Sequence, residues 1–286
     1  MNPQKIAVLT DSCADISPEL AEEKGIFILP LKIIYPEGEY ADGVDITARE
    51  IYQRMPAEVP GTSLPDGDTV FRMLERIHQE GYQKVIAVCL SAGLSGTYNM
   101  VRLAGLGCGD AMEVATFDSG SGSLGEGCIA LEVANCIERG RTWEELLAIV
   151  PRLIADTHVL FSLDSLEYLQ RGGRIGKITC LAGTMLQIKP IITFAEDGQL
   201  TSVGKIRPPL LSIDEMVARI KKLVPQDGRP YNMATAHGEA PGDLEYLKAQ
   251  LAEEIACAEQ YYEGTVDCTL GVHTGPHLIG VGIQLL

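Results

Sequence analysis

Four short runs rich in Val and Ile, at residues 5–9, 26–34, 84–90 and 113–117, alternate with helical patterns through the first half of the chain. This alternation constrains the fold more than any other feature. Most of the runs end in Gly, Ser or Asp, as strands do. Between them, Val70, Phe71, Leu74 and Ile77 follow the i, i+3, i+4, i+7 spacing of a buried helical stripe, and Ile129, Val133, Ala134 and Ile137 do the same. Thr142-Trp143-Glu144-Glu145 then forms a capping box ahead of Leu146, Leu147, Val150 and Leu153. Strands that alternate with helices predict a mostly parallel, doubly wound sheet.

The second half reads differently. Strands are expected at 158–163, 189–194, 232–236, 266–273 and 278–285, with a helix carrying Leu244, Leu247, Leu251 and Ile255 before the last two. Thr274-Gly275-Pro276-His277 separates those two, short enough for a hairpin and hence an antiparallel pair. The expectation is therefore an α/β protein of two domains. Residues 1–155 would hold the parallel sheet, and 156–286 would hold a mixed sheet, an Arg171-Gly172-Gly173-Arg174-Ile175 segment and a C-terminal hairpin. The 286-residue length accommodates two such units.

Charge narrows the partners. Lys and Arg number 23 against 39 Asp and Glu, a net of −16, so most of the surface should repel duplex nucleic acid and anionic membranes. The first 150 residues carry 11 basic and 23 acidic side chains, and the remainder 12 and 16. Arg171, Arg174, Lys177, Lys189, Lys205 and Arg207 form a basic island, opposed only by Glu196 and Asp197. It reads either as a solvated face or as a patch for a phosphate or an acidic partner. The longest apolar runs fall short of the roughly 20 residues of a membrane-spanning helix. Charged Asp11 follows too soon on the start for a signal peptide, and a cytoplasmic location is expected.

The eight cysteines make no C-x-x-C pair, and none sits beside a His in finger-like spacing. They read as small core residues in a reducing compartment.

Ligands of open parallel sheets bind beyond the carboxyl ends of the strands. Loops expected there are Thr10-Asp11-Ser12, Ser91-Ala92-Gly93-Leu94-Ser95-Gly96-Thr97 and Asp118-Ser119-Gly120-Ser121-Gly122-Ser123, joined by Pro60-Gly61-Thr62-Ser63-Leu64-Pro65 at the start of a helix over 67–80. Their hydroxyls and glycine amides suit a carboxylate or phosphate oxygen held by neutral donors. Ser, Thr and Gly also serve as ordinary helix caps, so it is the four loops together that point to a site. No metal or cofactor is expected, since the loops lack His, Cys and clustered carboxylate ligands.

Familiar motifs fail. Gly120-x-Gly122-x-x-Gly125 matches the dinucleotide fingerprint literally, but its helix is followed by a second helix rather than a strand. Ser95 has Gly93 before it but Thr97 after it, missing the G-x-S-x-G of a serine hydrolase. His237 or His273 could still approach it as a base, which leaves a Ser–His hydrolase or acyltransferase using Ser95 and His273 as the alternative. His273 and His277 fall on an expected turn, a weak arrangement for zinc.

At this point the chain resembles the DegV family, also known as fatty-acid-binding proteins and as acyl-binding subunits of a bacterial fatty acid kinase. The resemblance rests on Val8-Leu9-Thr10-Asp11-Ser12-Cys13-Ala14-Asp15, Thr62-Ser63-Leu64-Pro65, Gly93-Leu94-Ser95-Gly96-Thr97-Tyr98-Asn99 and Phe117-Asp118-Ser119. It continues through Leu166-Glu167-Tyr168-Leu169-Gln170-Arg171-Gly172-Gly173-Arg174-Ile175, Ile188-Lys189-Pro190-Ile191 and His273-Thr274-Gly275-Pro276, all in order along the chain. It implies two α/β domains with a long-chain fatty acid such as palmitate buried between them. It further implies that Thr62 and Ser95 hold the carboxyl group, and that Arg207 and His273 lie near the headgroup where a partner kinase would phosphorylate it. The implied role is lipid binding rather than free-standing catalysis, with the fatty acid as ligand and no cofactor. The chain departs from the family pattern at His277, where a Gly is usual, and at Ala92, where a second Ser is frequent.

Overall fold

The computed structural model describes residues 2–55, 57–181, 190–203 and 212–286. Its first-half strands are β1 (Ile6–Asp11), β2 (Ile26–Leu29), β3 (Lys32–Tyr35), β4 (Gly38–Ala41), β5 (Gly61–Ser63), β6 (Lys84–Cys89) and β7 (Glu113–Asp118). The second half contributes β8 (Thr157–Ser162), β9 (Ile191–Phe194), β10 (Leu200–Ser202), β11 (Tyr231–Gly238), β12 (Gln260–Thr265) and β13 (Leu278–Leu285).

Three sheets result. β2-β1-β6-β7 is wholly parallel, as the alternation of strands and helices predicts. Its strands alternate between two covered faces. Ile6, Val8, Ile86 and Val88 meet the helices Leu124–Glu138 and Trp143–Ala155, while Ala7, Leu9, Val85 and Ala87 meet the helices Gly67–Gln79 and Thr97–Gly107. Burial on both faces explains why these strands read as continuous apolar runs rather than as alternating ones. The second sheet, β10-β9-β8-β13-β11-β12, is mixed, with only β11 and β12 parallel. The third is a small antiparallel sheet, β4-β3-β5.

The expected single strand over 26–34 is two strands. Pro30, which has no N–H to give a ladder, falls between β2 in the parallel sheet and β3 in the small one. Phe71 departs from its expected stripe: Val70, Leu74 and Ile77 are buried, but Phe71 is 51% exposed.

The C-terminal hairpin does not form. Residues expected as a strand over 266–273 are instead the helix Cys268–Thr274, and β13 is flanked by β8 and β11. Val266, Thr269 and Val272 favour a strand by propensity, but Asp267 caps the helix by accepting from the Leu270 N–H at 2.9 Å. The chain then turns through Gly275 and His277, both at positive φ (73° and 64°), before entering β13.

Helix Leu124–Glu138 is buried on all sides because it lies between the two large sheets. Its buried Glu132 accepts from Arg139 at 2.8 Å and from Asn135 and Asn232 at 3.2 Å each, tying the helix to β11. Cys13, Cys89, Cys128, Cys136 and Cys268 are buried free thiols; burial pushes the Cys128 thiol up to about 12. Among the described residues no helix is long and apolar enough to cross a membrane.

Candidate functional site

A cavity opens where the loops after β6 and β7 and strand β5 face the mixed sheet. About 170 Å³ of it admits the centre of a water-sized sphere, against the roughly 10–15 Å³ that one water requires by that measure. Leu31, Leu64, Leu90, Leu94 and Leu124 line it from the first half, and Val159, Phe161, Phe194, Leu200 and Leu278 from the second. Thr62, Ser63, Ser95, Ser123, Thr269, His273, Thr274 and Arg174 supply its polar lining.

Thr62, Ser95 and His273, singled out from the sequence, thus border one cavity, although 211 residues separate Thr62 from His273. Thr62 sits on β5, opposite Ile33 of β3, rather than in a loop opening a helix. Its Oγ1 lies 2.8 Å from His273 Nε2. Ser95 precedes the helix Thr97–Gly107; its Oγ is 2.9 Å from Thr97 Oγ1 and accepts from the Thr97 N–H. Among the described residues His273 therefore engages Thr62 and not Ser95, and its Nδ1 meets no carboxylate to orient it, so the Ser–His arrangement of a hydrolase is not formed among them. Arg207 lies outside the described residues, as do Lys189 and Lys205 of the basic island. Of the rest of that island, Lys177 pairs with Asp197 at 2.7 Å, and Arg174 donates to the carbonyls of Leu94 at 3.2 Å and Gly172 at 2.7 Å.

The helix bearing His273 is fastened by acidic residues from the opposite end of the chain. Asp15 accepts from the Asp267 N–H at 2.7 Å. Asp42 accepts from the N–H groups of Cys268 and Thr269 at 3.1 and 2.9 Å, from the Thr269 hydroxyl at 2.6 Å and from Ser12 at 3.1 Å. Carboxylates at a helix N-terminus satisfy its free N–H groups and complement its dipole. Asp15 also accepts from Ser123, which borders the cavity. Beside them, Asp11 accepts from the N–H groups of Cys13 and Leu90 at 3.0 and 2.9 Å, fixing the loop that presents Ser91 to Ser95.

Burial dominates the electrostatics. It raises Asp11 from the usual 3.8 to about 6, against the lowering effect of the two N–H donors. It holds Glu126 well above the carboxylate range, reinforced by the charge of Asp11. It raises Asp15 and Asp267 too, and for Asp267 the neighbouring Asp42 and Asp15 add to the effect. His273 moves the other way, from 6.5 down to about 4, through burial and then the charge of Arg174. The imidazole is accordingly neutral at pH 7.

Two contacts join the halves next to the cavity-lining Leu90 and Leu94. Ser91 donates to the Gly198 carbonyl at 2.8 Å, and a Cβ on Gly93 would stand 2.5 Å from the Gly198 carbonyl carbon. Two backbones approach so closely only because neither residue carries a side chain. The contribution of Arg174 to the cavity, and of Gly172 to the space of the His273 ring, has no signature in the sequence beyond the Arg-Gly-Gly-Arg run itself, whose partners Leu94 and His273 lie 80 and 101 residues away. The Gly120 loop, read for a dinucleotide, is shaped by packing: a Cβ on Gly125 would collide with Ser121 and stand 2.9 Å from Val159 Cγ2.

Comparison with known proteins agrees with this architecture. The family model described as "Uncharacterised protein, DegV family" matches residues 5–285. A DegV domain-containing protein of Clostridium acetobutylicum is 35% identical over 280 residues, 98% of this chain and 99% of that one. Among solved structures, the fatty-acid-binding DegV family protein of Thermus thermophilus is 28% identical over all of both chains, with a TM-score of 0.90. Bacillus subtilis DegV, a fatty acid binding protein, is 27% identical over all of both chains with a TM-score of 0.86. A stearic acid-binding protein of Eubacterium ventriosum is 26% identical over 98% of each chain, with a TM-score of 0.86. With solved relatives that superpose over the whole chain and a family model spanning nearly every residue, this chain belongs to the DegV family.

Proposed function

We propose that this protein binds a long-chain fatty acid, with the tail in the interdomain cavity and the carboxylate at the hydroxyls of Thr62 and Ser95. The observation that carries the reading is a single cavity, apolar along most of its wall, with Thr62, Ser95, His273 and Arg174 among its few polar groups. Relatives of the same fold that bind fatty acids support it.

The energetics suit a lipid. Burying about 14 methylenes of palmitate at about 0.8 kcal/mol each supplies roughly 11 kcal/mol of gross transfer free energy. Association and chain ordering remove a large part of this, so the tail provides affinity and the hydroxyls provide orientation. Among the described residues Nδ1 of His273 has no hydrogen-bond partner, so a proton there would be a buried, unpaired donor. The neutral ring instead carries its proton on Nε2 and donates to Thr62 Oγ1, which leaves the Thr62 hydroxyl hydrogen free for a carboxylate oxygen.

The proposal extends to a partner. The bound carboxyl group is presented to a fatty acid kinase, with Arg207 and His273 at the headgroup, and the protein itself carries the acyl group rather than catalysing. The support is the family resemblance of those two positions. Arg207→Ala is expected to lower acyl phosphate formation with a cognate kinase; unchanged turnover and product retention would make the basic stretch a solvated face.

Mass spectrometry of an organic extract from the denatured, purified protein tests the binding itself. A stoichiometric long-chain acid is expected. An extract without lipid, together with no palmitate uptake on titration, would remove the proposal.

A further inference from the structure

Gly280 lies in the middle of β13, directly opposite Phe161 of β8 in the antiparallel ladder, and both residues border the cavity. Glycine inside a strand weakens it, through lost chain entropy and the absence of a side chain to pack. The backbone gives no reason for it, because Gly280 is not at positive φ. Crowding gives none either. A Cβ there would meet Leu124 Cδ1 at 3.5 Å, Phe161 Cβ at 3.7 Å and the Ala236 carbonyl at 3.8 Å, all ordinary contacts. On the facing wall Gly122 differs, since a Cβ would stand 2.7 Å from Leu90 Cδ1. A strand glycine that nothing in the protein requires marks a place where something else comes close.

Position along the strand says what. Leu278, on the same face, enters β13 straight after the turn that follows His273 and Thr274, so it stands nearest the polar end. Gly280 is about 7 Å farther along at some 3.4 Å per residue, and Val159, the partner of Gly282, is a similar step beyond. The walls at that depth are Phe161, Val159 and Leu124, with no charged group among them.

We infer that Gly280 is a specificity-determining residue for the tail: with no side chain it keeps the cavity wall flat where an alkyl chain lies against β13 beside Phe161 and Leu124, on its way towards Val159. The inference rests on the fatty-acid reading above and deepens it by naming what limits chain length.

The test is a chain-length series of saturated acids from decanoate to stearate, titrated into the full-length wild type, Gly280→Ala and Gly280→Val. In the wild type, affinity should rise about fourfold per methylene up to the length the cavity holds. In Gly280→Val the rise should stop at a shorter chain, weakening palmitate at least tenfold while decanoate changes less than twofold, with Gly280→Ala intermediate. An unaltered profile, or an equal loss at every length, would overturn the role of Gly280. Thermal midpoints accompany each titration, and if the Val variant does not fold the Ala series decides by the same criterion. A wild type that binds no acid of any length would instead overturn the fatty-acid reading itself, and this inference with it.

Discussion

The imidazole of His273 occupies the space a side chain at Gly172 would fill: a Cβ on Gly172 would collide with Nδ1 and stand 2.6 Å from Cε1. The Thr62–His273 contact at 2.8 Å therefore depends on a missing side chain 101 residues away from the histidine. Gly172→Ala should displace the ring and weaken palmitate binding by about 1–1.5 kcal/mol, the worth of one hydrogen bond. Calorimetric titration of Gly172→Ala, His273→Ala and the double variant checks this. The double variant should bind no more weakly than His273→Ala alone, because the glycine acts through the histidine.

Thr62 and Ser95 contribute through donors to a buried carboxylate. Truncating either to Ala should cost about 1–2 kcal/mol, roughly 5- to 30-fold in affinity, while the remaining donors persist. The double truncation should cost more, since the buried charge then loses two partners. Palmitate titrations read the effect directly, and unchanged affinity in the double variant would remove both residues from the site.

Stability should fall as pH rises from about 4 to about 7. Asp11, raised to about 6, and Asp15, Glu126 and Asp267, also raised, bind more protons folded than unfolded in this window. Their stabilising contribution is full below the unfolded carboxylate range and is lost as pH passes their folded values. His273, lowered to about 4, works oppositely, contributing above 6.5 and losing that contribution as pH falls. Four carboxyls outweigh one imidazole. Denaturant unfolding at pH 4.5 to 7.5 should show the decline, and Asp15→Asn should flatten it; a rising curve would contradict the assignment of these groups as buried acids.

Gly93 and Gly198 hold the loop that leads to Ser95 against the turn between β9 and β10 by close backbone contact. Gly93→Ala should separate them, costing about 1–3 kcal/mol of stability as overpacking does, and should speed fatty acid release. Stopped-flow displacement of a fluorescent fatty acid measures the release. The rate should rise at least several-fold with little change in the association rate.

His277 stands at φ 64° on the exposed turn into β13, the left-handed region that favours glycine. His277→Gly should be neutral or slightly stabilising, whereas the β-branched His277→Val should cost about 1–2 kcal/mol. Equilibrium denaturation of the two variants decides it.

Much of the architecture was legible in local patterns. The parallel strands, the helix at 67–79 and the capped helix after Thr142 follow from periodicity and caps that neighbouring residues supply. Pro30 is a visible break that the run of Ile, Leu and Phe around it conceals. The helix Cys268–Thr274 is hidden in the sequence because Val266, Thr269 and Val272 favour a strand, while its decisive contacts come from Asp15 and Asp42, more than 220 residues earlier. Phe71 fits its helical stripe, but the stripe alone does not say how wide the covering partner is.

By itself the sequence determined the α/β class, the order of most elements and the hydroxyl-rich loops, because each depends on residues within a few positions of one another. The tertiary structure decided that Thr62 meets His273 rather than Ser95, that Gly172 makes room for the ring, and that Gly280 borders a cavity. Those facts belong to surfaces from distant segments meeting in space, and closeness of that kind leaves no periodicity along the chain.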